Sequence, residues 1–467
     1  MNTLITIFGG RWKEEGGYRH LLVLSFPLIL STGAWSIQQF VDRMFLSWYS
    51  TETVAASMPA GILNFTFMSL FIGTAAYVGT FIAQYTGANR PERIGAILWQ
   101  GIHLAIIGGI FHLLLIPFAP AFFRFVGHDP AVQVNEIIYF QVLCLGAAPA
   151  IASAALSGFF SGRGSTWTVM WINALQTAVN LVLDYAMIFG RWGFPEMGMK
   201  GAAIATVISG FVSFFTFFAL TARRCHDQTY GTIRERRFDP ELFRRLLRFG
   251  LPSGLQFFMD IAGFTIFILL LGRLGTTALA ASNIAFNINT LAFMPMIGLG
   301  IGVSILVGQN LGGERTDLAE RAAYSGFHLT LFYMVSIAVL YVAAPDLFIA
   351  PFAPRGRPGD FETIRHTATI LLRFIAFYSI FDGMTIIFSS ALKGSGDTLY
   401  IMWTISLASL FLLIVPSFLA ITVFHLPITA AWAIATFYVI ALAFIFYLRF
   451  RHGAWKTMRV IEAVPVE

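Results

Sequence analysis

Four aspartates, Asp42, Asp184, Asp260 and Asp382, each interrupt a run of apolar residues long enough to cross a bilayer. A charged side chain at the centre of a membrane helix costs about 2.5–3.5 kcal/mol on insertion scales, so such residues face protein or water and mark ion or substrate pathways. A polar lock between helices would use the same residue type and is the plainer alternative for any one of the four. Their neighbours sharpen the reading. Asn173, Thr177, Asn180 and Asp184 are spaced 4, 3 and 4 and line one helical face. Ser31, Gln38 and Asp42 share a face, as do Ser253, Gln256 and Asp260. Asn283, Asn287 and Thr290 form another such stripe, and Tyr378, Asp382, Thr385 and Ser389 a fifth. Lipid cannot satisfy these groups. Five stripes describe a polar cavity better than five separate locks.

Carboxylates beside amide and hydroxyl oxygens suit a hard cation or a proton. The residues alone leave Na+ and H+ both open. Few bases lie inside the apolar runs, Arg373 being the main exception, so a cavity walled by aspartates favours organic cations. Most of the 48 Phe face lipid, although a few, with Met259, Met294 and Met384, could line a cavity for flat aromatic cations. Cys144 and Cys225 have no metal or disulfide spacing, and the nine His are scattered without an HExxH. The sequence has no GxxxxGK and no GxSxG, which argues against an ATP-driven pump and an intramembrane hydrolase. No cofactor and no metal beyond a coupling Na+ are expected.

The elements that must hold these residues follow from composition. Of 467 residues, 57% are hydrophobic and 12% charged. A soluble domain carries about 25% charged residues, so this is an all-α polytopic membrane protein rather than a cytosolic enzyme or nucleic-acid binder. Twelve apolar runs are read as spanning helices, at about 20–48, 55–85, 94–118, 133–159, 165–189, 201–222, 245–272, 277–307, 322–350, 367–392, 398–424 and 428–450. Of the 30 Lys and Arg, 21 fall with the termini and the loops on the same side, which places both termini in the cytoplasm. The net charge of +6 is read as this topology signal, with no nucleic acid as partner. Anionic lipid is the alternative contact for the basic 223–245 loop. Asp42 and Asp184 lie about 20 residues, or about 30 Å, from the cytoplasmic starts of their helices. Thr206 begins the return helix at a similar level. Asp260 and Asp382 each lie about 14 residues along oppositely directed helices, near the midplane.

The long polar interruption divides the chain into an N-terminal six-helix lobe (1–222), a cytoplasmic basic linker (223–245) and a C-terminal six-helix lobe with a short cytoplasmic tail (246–467). The halves repeat. Arg19 to Pro27 matches Arg244 to Pro252 at an offset of 225, which also aligns Ala55-Ala56-Ser57 with Ala280-Ala281-Ser282. The same offset aligns Gln84, Gly87 and Arg90 with Gln309, Gly312 and Arg315. Gly162-Arg163-Gly164 pairs with Gly394-Ser395-Gly396. Six spans per half make the repeats parallel, related by an axis along the membrane normal. Pro27, Pro149, Pro252, Pro295 and Pro416 are intramembrane and mark either hinges or fixed kinks.

Several of these segments together resemble one transporter family. Phe26-Pro27-Leu28-Ile29-Leu30-Ser31, Val41-Asp42 and Ala55-Ala56 followed by Pro59-Ala60 look like the start of the MATE (multidrug and toxic compound extrusion) family. Gly79-Thr80, Gln84, Gly87-Ala88 and Arg90 continue the likeness, as does Phe159-Phe160-Ser161-Gly162-Arg163-Gly164. Gly193 to Gly198 with Gly201 to Thr206 is similar to the NorM-like branch, and the second half adds Gly250 to Gly254 and Val307 to Gly312 to the family likeness. The resemblance covers nearly all of 19–450. It implies two six-helix bundles forming a V-shaped central cavity, and cation-coupled drug efflux by a protein that can act as a monomer in the bacterial inner membrane. It implies an N-lobe cation site at Asp42, Asn180, Asp184 and Thr206, and a C-lobe site at Asp260, Tyr378 and Asp382. Gln38, Asn173, Thr177, Gln256, Asn283, Asn287 and Thr385 remain as polar cavity lining. At Asp260 the chain departs from NorM-like members, which commonly carry glutamate there. The competing function is a flippase for lipid-linked precursors, within the wider superfamily. Such a cavity would need arginines to hold pyrophosphate, and none is read deep in the first-half helices.

Overall fold

The structure, a computed structural model, describes residues 11–126, 128–352 and 358–462, all helical or connecting turn. The outer limits of the two assigned lobes, residues 1–10 and 463–467, lie outside the described residues. Twelve long segments follow the sequence reading closely. In order they are α1 (Tyr18–Tyr49), α2 (Ala55–Gly87), α3 (Pro91–Phe125) and α4, which is Pro130–Leu145 continued by Ala147–Gly162. Then come α5 (Thr166–Ile188), α6 (Gly198–Thr221), α7 (Pro240–Gly272) and α8 (Thr276–Gly312). The last four are α9 (Thr316–Ala343), α10 (Phe361–Ser395), α11 (Thr398–Val423) and α12 (Ile428–His452).

Ten of these helices are each long and apolar enough to cross a membrane, and the α4 pair makes an eleventh span with a 47° bend. The twelfth, α5, has 23 residues, a length of about 35 Å that suffices to span. Its polar stripe is what dilutes its apolar character.

Local chemistry sets the ends. Asp239 Oδ1 accepts the amides of Glu241 and Leu242, each at 3.0 Å, with Pro240 at the first helical position. This N-cap starts α7 five residues earlier than the run of apolar residues indicates. The segment 223–245 is therefore shorter as a connection, and it carries a helix of its own, Arg224–Tyr230, ended by Gly231 at φ +65°. Trp99 Nε1 donates to Thr232 O at 2.7 Å and ties that segment to α3. The ninth span, read as 322–350, instead occupies Thr316–Ala343, and Pro345 opens a separate short helix, Pro345–Ile349. The residue before a proline is disfavoured in the α region, and Ala344 has left it at φ −139°, ψ 56°. Pro27, Pro252 and Pro295 sit inside unbroken helices, whereas Pro416 lies between two π-helical stretches, Ser409–Ile414 and Leu419–Val423.

The chain forms two compact units. The first comprises Leu30–Phe258, Gly312–Glu314 and the residues from Val460. The second comprises the residues up to Ile29, Met259–Leu311 and Arg315–Arg459. The division thus cuts α1 and α7 rather than following the repeat boundary. Close glycine contacts lie inside each unit and join helices of both repeats. In the first unit a Cβ on Gly73 of α2 would lie 2.7 Å from Gly254 Cα of α7. In the second, a Cβ on Gly298 of α8 would lie 2.7 Å from Ile29 N of α1. Gly73 and Gly298 are 225 residues apart, as are Ile29 and Gly254, so the two crossings are one contact used twice. The same holds for Gly162 against Gly79 O and Gly394 against Ser304 O, each approach closed to any side chain.

Candidate functional site

In the first unit, three helices bring the N-half residues together because each carries an apolar anchor one turn away. Leu46 of α1, Ile188 of α5 and Ala202 of α6 pack in one buried cluster with Ala56 and Met199. Asp42, Asp184 and Thr206 lie four residues from Leu46, Ile188 and Ala202 respectively, so packing the cluster aligns all three side chains. Asp42 and Asp184 are both buried and their carboxyl groups adjoin. Two carboxylates have no donor between them, so their contact needs a shared proton or an intervening cation. Asn180, one turn before Asp184, donates to Thr206 Oγ1 at 3.5 Å, while Thr206 donates to Ala202 O at 3.0 Å. Asp42 Oδ1, Asn180 Oδ1 and both Asp184 oxygens are buried and meet no donor among the described residues. Buried acceptors without donors are costly. Four of them converging here form an oxygen-lined site with the chemistry of a proton or hard cation.

Along the same faces, Asn173 donates to Ser31 and joins α5 to α1. Gln38 is buried one turn before Asp42, and Thr177 is half-buried between Asn173 and Asn180.

In the second unit, Asp260 of α7 and Asp382 of α10 lie close enough for their charges to interact. Tyr378, one turn before Asp382, accepts a hydrogen bond from Asn289 Nδ2 of α8 at 3.4 Å. Tyr378 is fixed by a core of Phe267, Leu271, Ile288, Leu371, Ile375 and Trp432. Tyr438 of α12 pairs with Ser409 of α11 at 3.1 Å and interacts with the charges of both aspartates. Thr385 is turned back onto Phe381 O of its own helix. Asn287 and Thr290 likewise bond to Asn283 O and Phe286 O, and with Asn283 they share an exposed face of α8. Gln256 is buried one turn before Asp260, but it belongs to the first unit. The C-half trio therefore assembles, while Asn283 and Asn287 are exposed on α8.

With this geometry in view, comparison with known proteins is decisive. The MatE family profile matches residues 27–186 and 252–419, one match in each half and well over half of the chain. This chain belongs to the MatE family. Among similar proteins, a "Probable multidrug resistance protein NorM" of Pseudomonas putida is 30% identical over 380 residues, covering 81% of this chain and 82% of its own. Another of the same description, from Thermotoga maritima, is 25% identical over 451 residues, 96% of this chain and 95% of its own. Among solved structures, a MOP superfamily transporter from Pyrococcus furiosus superposes with a TM-score of 0.86 at 19% identity, covering 97% of this chain and 99% of its own. An outward-facing multidrug resistance MATE family transporter superposes at 0.85, also at 19% identity. These likenesses establish the fold of this MatE chain as that of a NorM-like membrane transporter. The family is one of multidrug efflux transporters rather than enzymes.

The MatE chain also places residues that the sequence reading missed. Tyr139 of α4 lies where the charges of Asp42 and Asp184 both act on it. Arg43, in the last third of α1, acts on Asp42 and Tyr139, so the first-half helices are not free of arginine near the site. Lys393, counted with the loop charges, is in the last turn of α10, and its charge interacts with that of Asp260. Asn289 lies between Asn287 and Thr290 of a stripe legible in the sequence, and Ser409 and Tyr438 lie in runs that read as wholly apolar. A tyrosine in an apolar helix gives no period of its own, and only its neighbours in space distinguish it from a lipid-facing ring.

Proposed function

We propose that this MatE chain performs secondary active efflux of organic cations, exchanging them for H+ or Na+ by alternating access. The observation that carries the reading is the adjoining, buried Asp42–Asp184 pair with its donor-free oxygens. A proton or Na+ arriving there neutralises the pair, and its departure restores a charge that a cationic substrate can balance. The C-half carboxylates, Asp260 and Asp382 with Tyr378, offer the same chemistry in the other repeat. The multidrug resistance named for the relatives supports small organic cations as cargo. The Lys and Arg bias supports a multi-pass chain of the bacterial cytoplasmic membrane with both termini and the 223–245 segment in the cytoplasm. Each repeat then serves as one lobe, and a single chain holds every group the cycle needs.

The test is dye transport in liposomes under separately imposed Na+ and H+ gradients, with Asp42→Asn and Asp382→Asn beside the wild type. Transport driven by one gradient and lost in one variant identifies the ion and the coupling half. A folded wild type that moves no dye under either gradient overturns the reading.

A further inference from the structure

We propose that Tyr438, held by Ser409, is a further ion-site residue of the C-half and tunes the affinity for the coupling ion; this rests on the cation-coupled reading above. The placement is built by three helices. Gly263 lies three residues beyond Asp260 on α7, and a Cβ there would stand 3.0 Å from Ser409 Oγ. That close approach brings α11 against the same face of α7 that carries Asp260. Ser409 is buried and pairs with Tyr438 Oη at 3.1 Å, and the Tyr438 hydroxyl interacts with the charges of Asp260 and Asp382. Tyr438 thus stands within range of the charges of both carboxylates, and its hydroxyl can donate to an ionised carboxylate or lend its oxygen to a cation.

The course of α11 explains how Ser409 reaches this position. Pro416 has no amide proton and crowds the carbonyl four residues before it, and the helix widens to π geometry on both sides of it. Ser409 opens the first π stretch. Beyond the Ser409–Tyr438 pair the seam between α11 and α12 parts into an apolar groove of about 400 Å³, lined by Leu412, Pro416, Ala433, Ile434 and Phe437. The hydroxyl pair is a polar contact in an otherwise apolar seam.

The test separates affinity from rate. In liposomes, dye transport is measured against the concentration of the driving ion for wild type, Tyr438→Phe, Ser409→Ala and Ser409→Thr. Tyr438→Phe is expected to raise the half-saturating ion concentration about fivefold, the scale of one hydrogen bond, with the maximal rate nearly unchanged. Ser409→Ala should shift it in the same direction, and Ser409→Thr, which keeps the hydroxyl, should restore it. An ion-dependent wild type with unchanged half-saturation in Tyr438→Phe overturns this assignment alone, as does an equal loss of rate at every ion concentration. If Tyr438→Phe fails to fold, the contrast between Ser409→Ala and Ser409→Thr decides in its place: half-saturation unchanged in both overturns the assignment. A wild type indifferent to both ions overturns the coupling reading and this assignment with it.

Discussion

At the scale of single residues, the Asp42–Asp184 pair is held together against its own chemistry. Two buried carboxylates repel unless something positive lies between them. Asn180 is neutral and balances neither charge. Asp184→Asn replaces one acceptor with a donor and removes one charge. The variant should therefore unfold at a higher temperature, by the few degrees that about 1–2 kcal/mol provides, while ion-driven dye efflux falls at least about tenfold. Thermal unfolding in detergent and efflux from liposomes check both halves of this prediction. A variant with a lower melting temperature and undiminished efflux would show that the pair is structural.

At the scale of elements, helix crossings are fixed by backbone contacts that leave no room for adjustment. Gly73 meets the Gly254 backbone, so Gly73→Ala forces two helices apart and should cost about 1–3 kcal/mol. Gly210, in α6, has nothing within 4 Å of the position a Cβ would take, and Gly210→Ala should stabilise by about 0.4–1 kcal/mol through the unfolded chain. Opposite shifts in melting temperature are the expected result. The same shift in both would mean that helix propensity, not the crossing, controls the response.

At the scale of the whole molecule, the end of the chain returns to the first repeat. Val460 donates its amide to Gln84 Oε1 at 2.9 Å and accepts from Arg245 at 2.6 Å. Glu462 accepts from Tyr85, Arg90 and Arg93 at 2.7, 3.1 and 2.9 Å. The Gln84 and Arg90 that recur in the second half thus have a structural task. Their counterpart Arg315 holds Glu15 in the same way at 2.6 Å. Burial by itself would raise the Glu462 carboxyl, but the Tyr85 hydroxyl, its own backbone amide and the charges of Arg93 and Arg90 outweigh it. The group is held below the ordinary glutamate range. A depressed acid contributes its stabilisation above the unfolded value and loses it as pH falls through the folded one. The tail should therefore stay docked at neutral pH and release in acid. Hydrogen exchange at Val460, corrected for intrinsic rates, should show protection at pH 7 that is lost as the pH falls below the ordinary glutamate range. In Glu462→Gln the protection should be weak at both pH values; a variant as protected as wild type would rule out the carboxylate as the clasp.

The order of residues by itself determined the class of the fold, the twelve spans, the repeat and most of the candidate-site residues. Each of these rests on a local quantity. Spanning length, helical period and the cost of a carboxylate in lipid can all be read along one helix. It also held the N-half quartet, since Asp42, Asn180, Asp184 and Thr206 stand at matching depths. Only the tertiary structure decided which apolar-looking residues join them. Tyr139, Ser409 and Tyr438 become polar partners through contacts between helices far apart in the chain. The ends of helices gave way to single caps, as Asp239 shows for α7. The unit boundary fell inside α1 and α7 rather than at the basic linker. Contacts such as Gly73 with Gly254 and Gly298 with Ile29 join helices of both repeats within one unit, and no single segment carries that information.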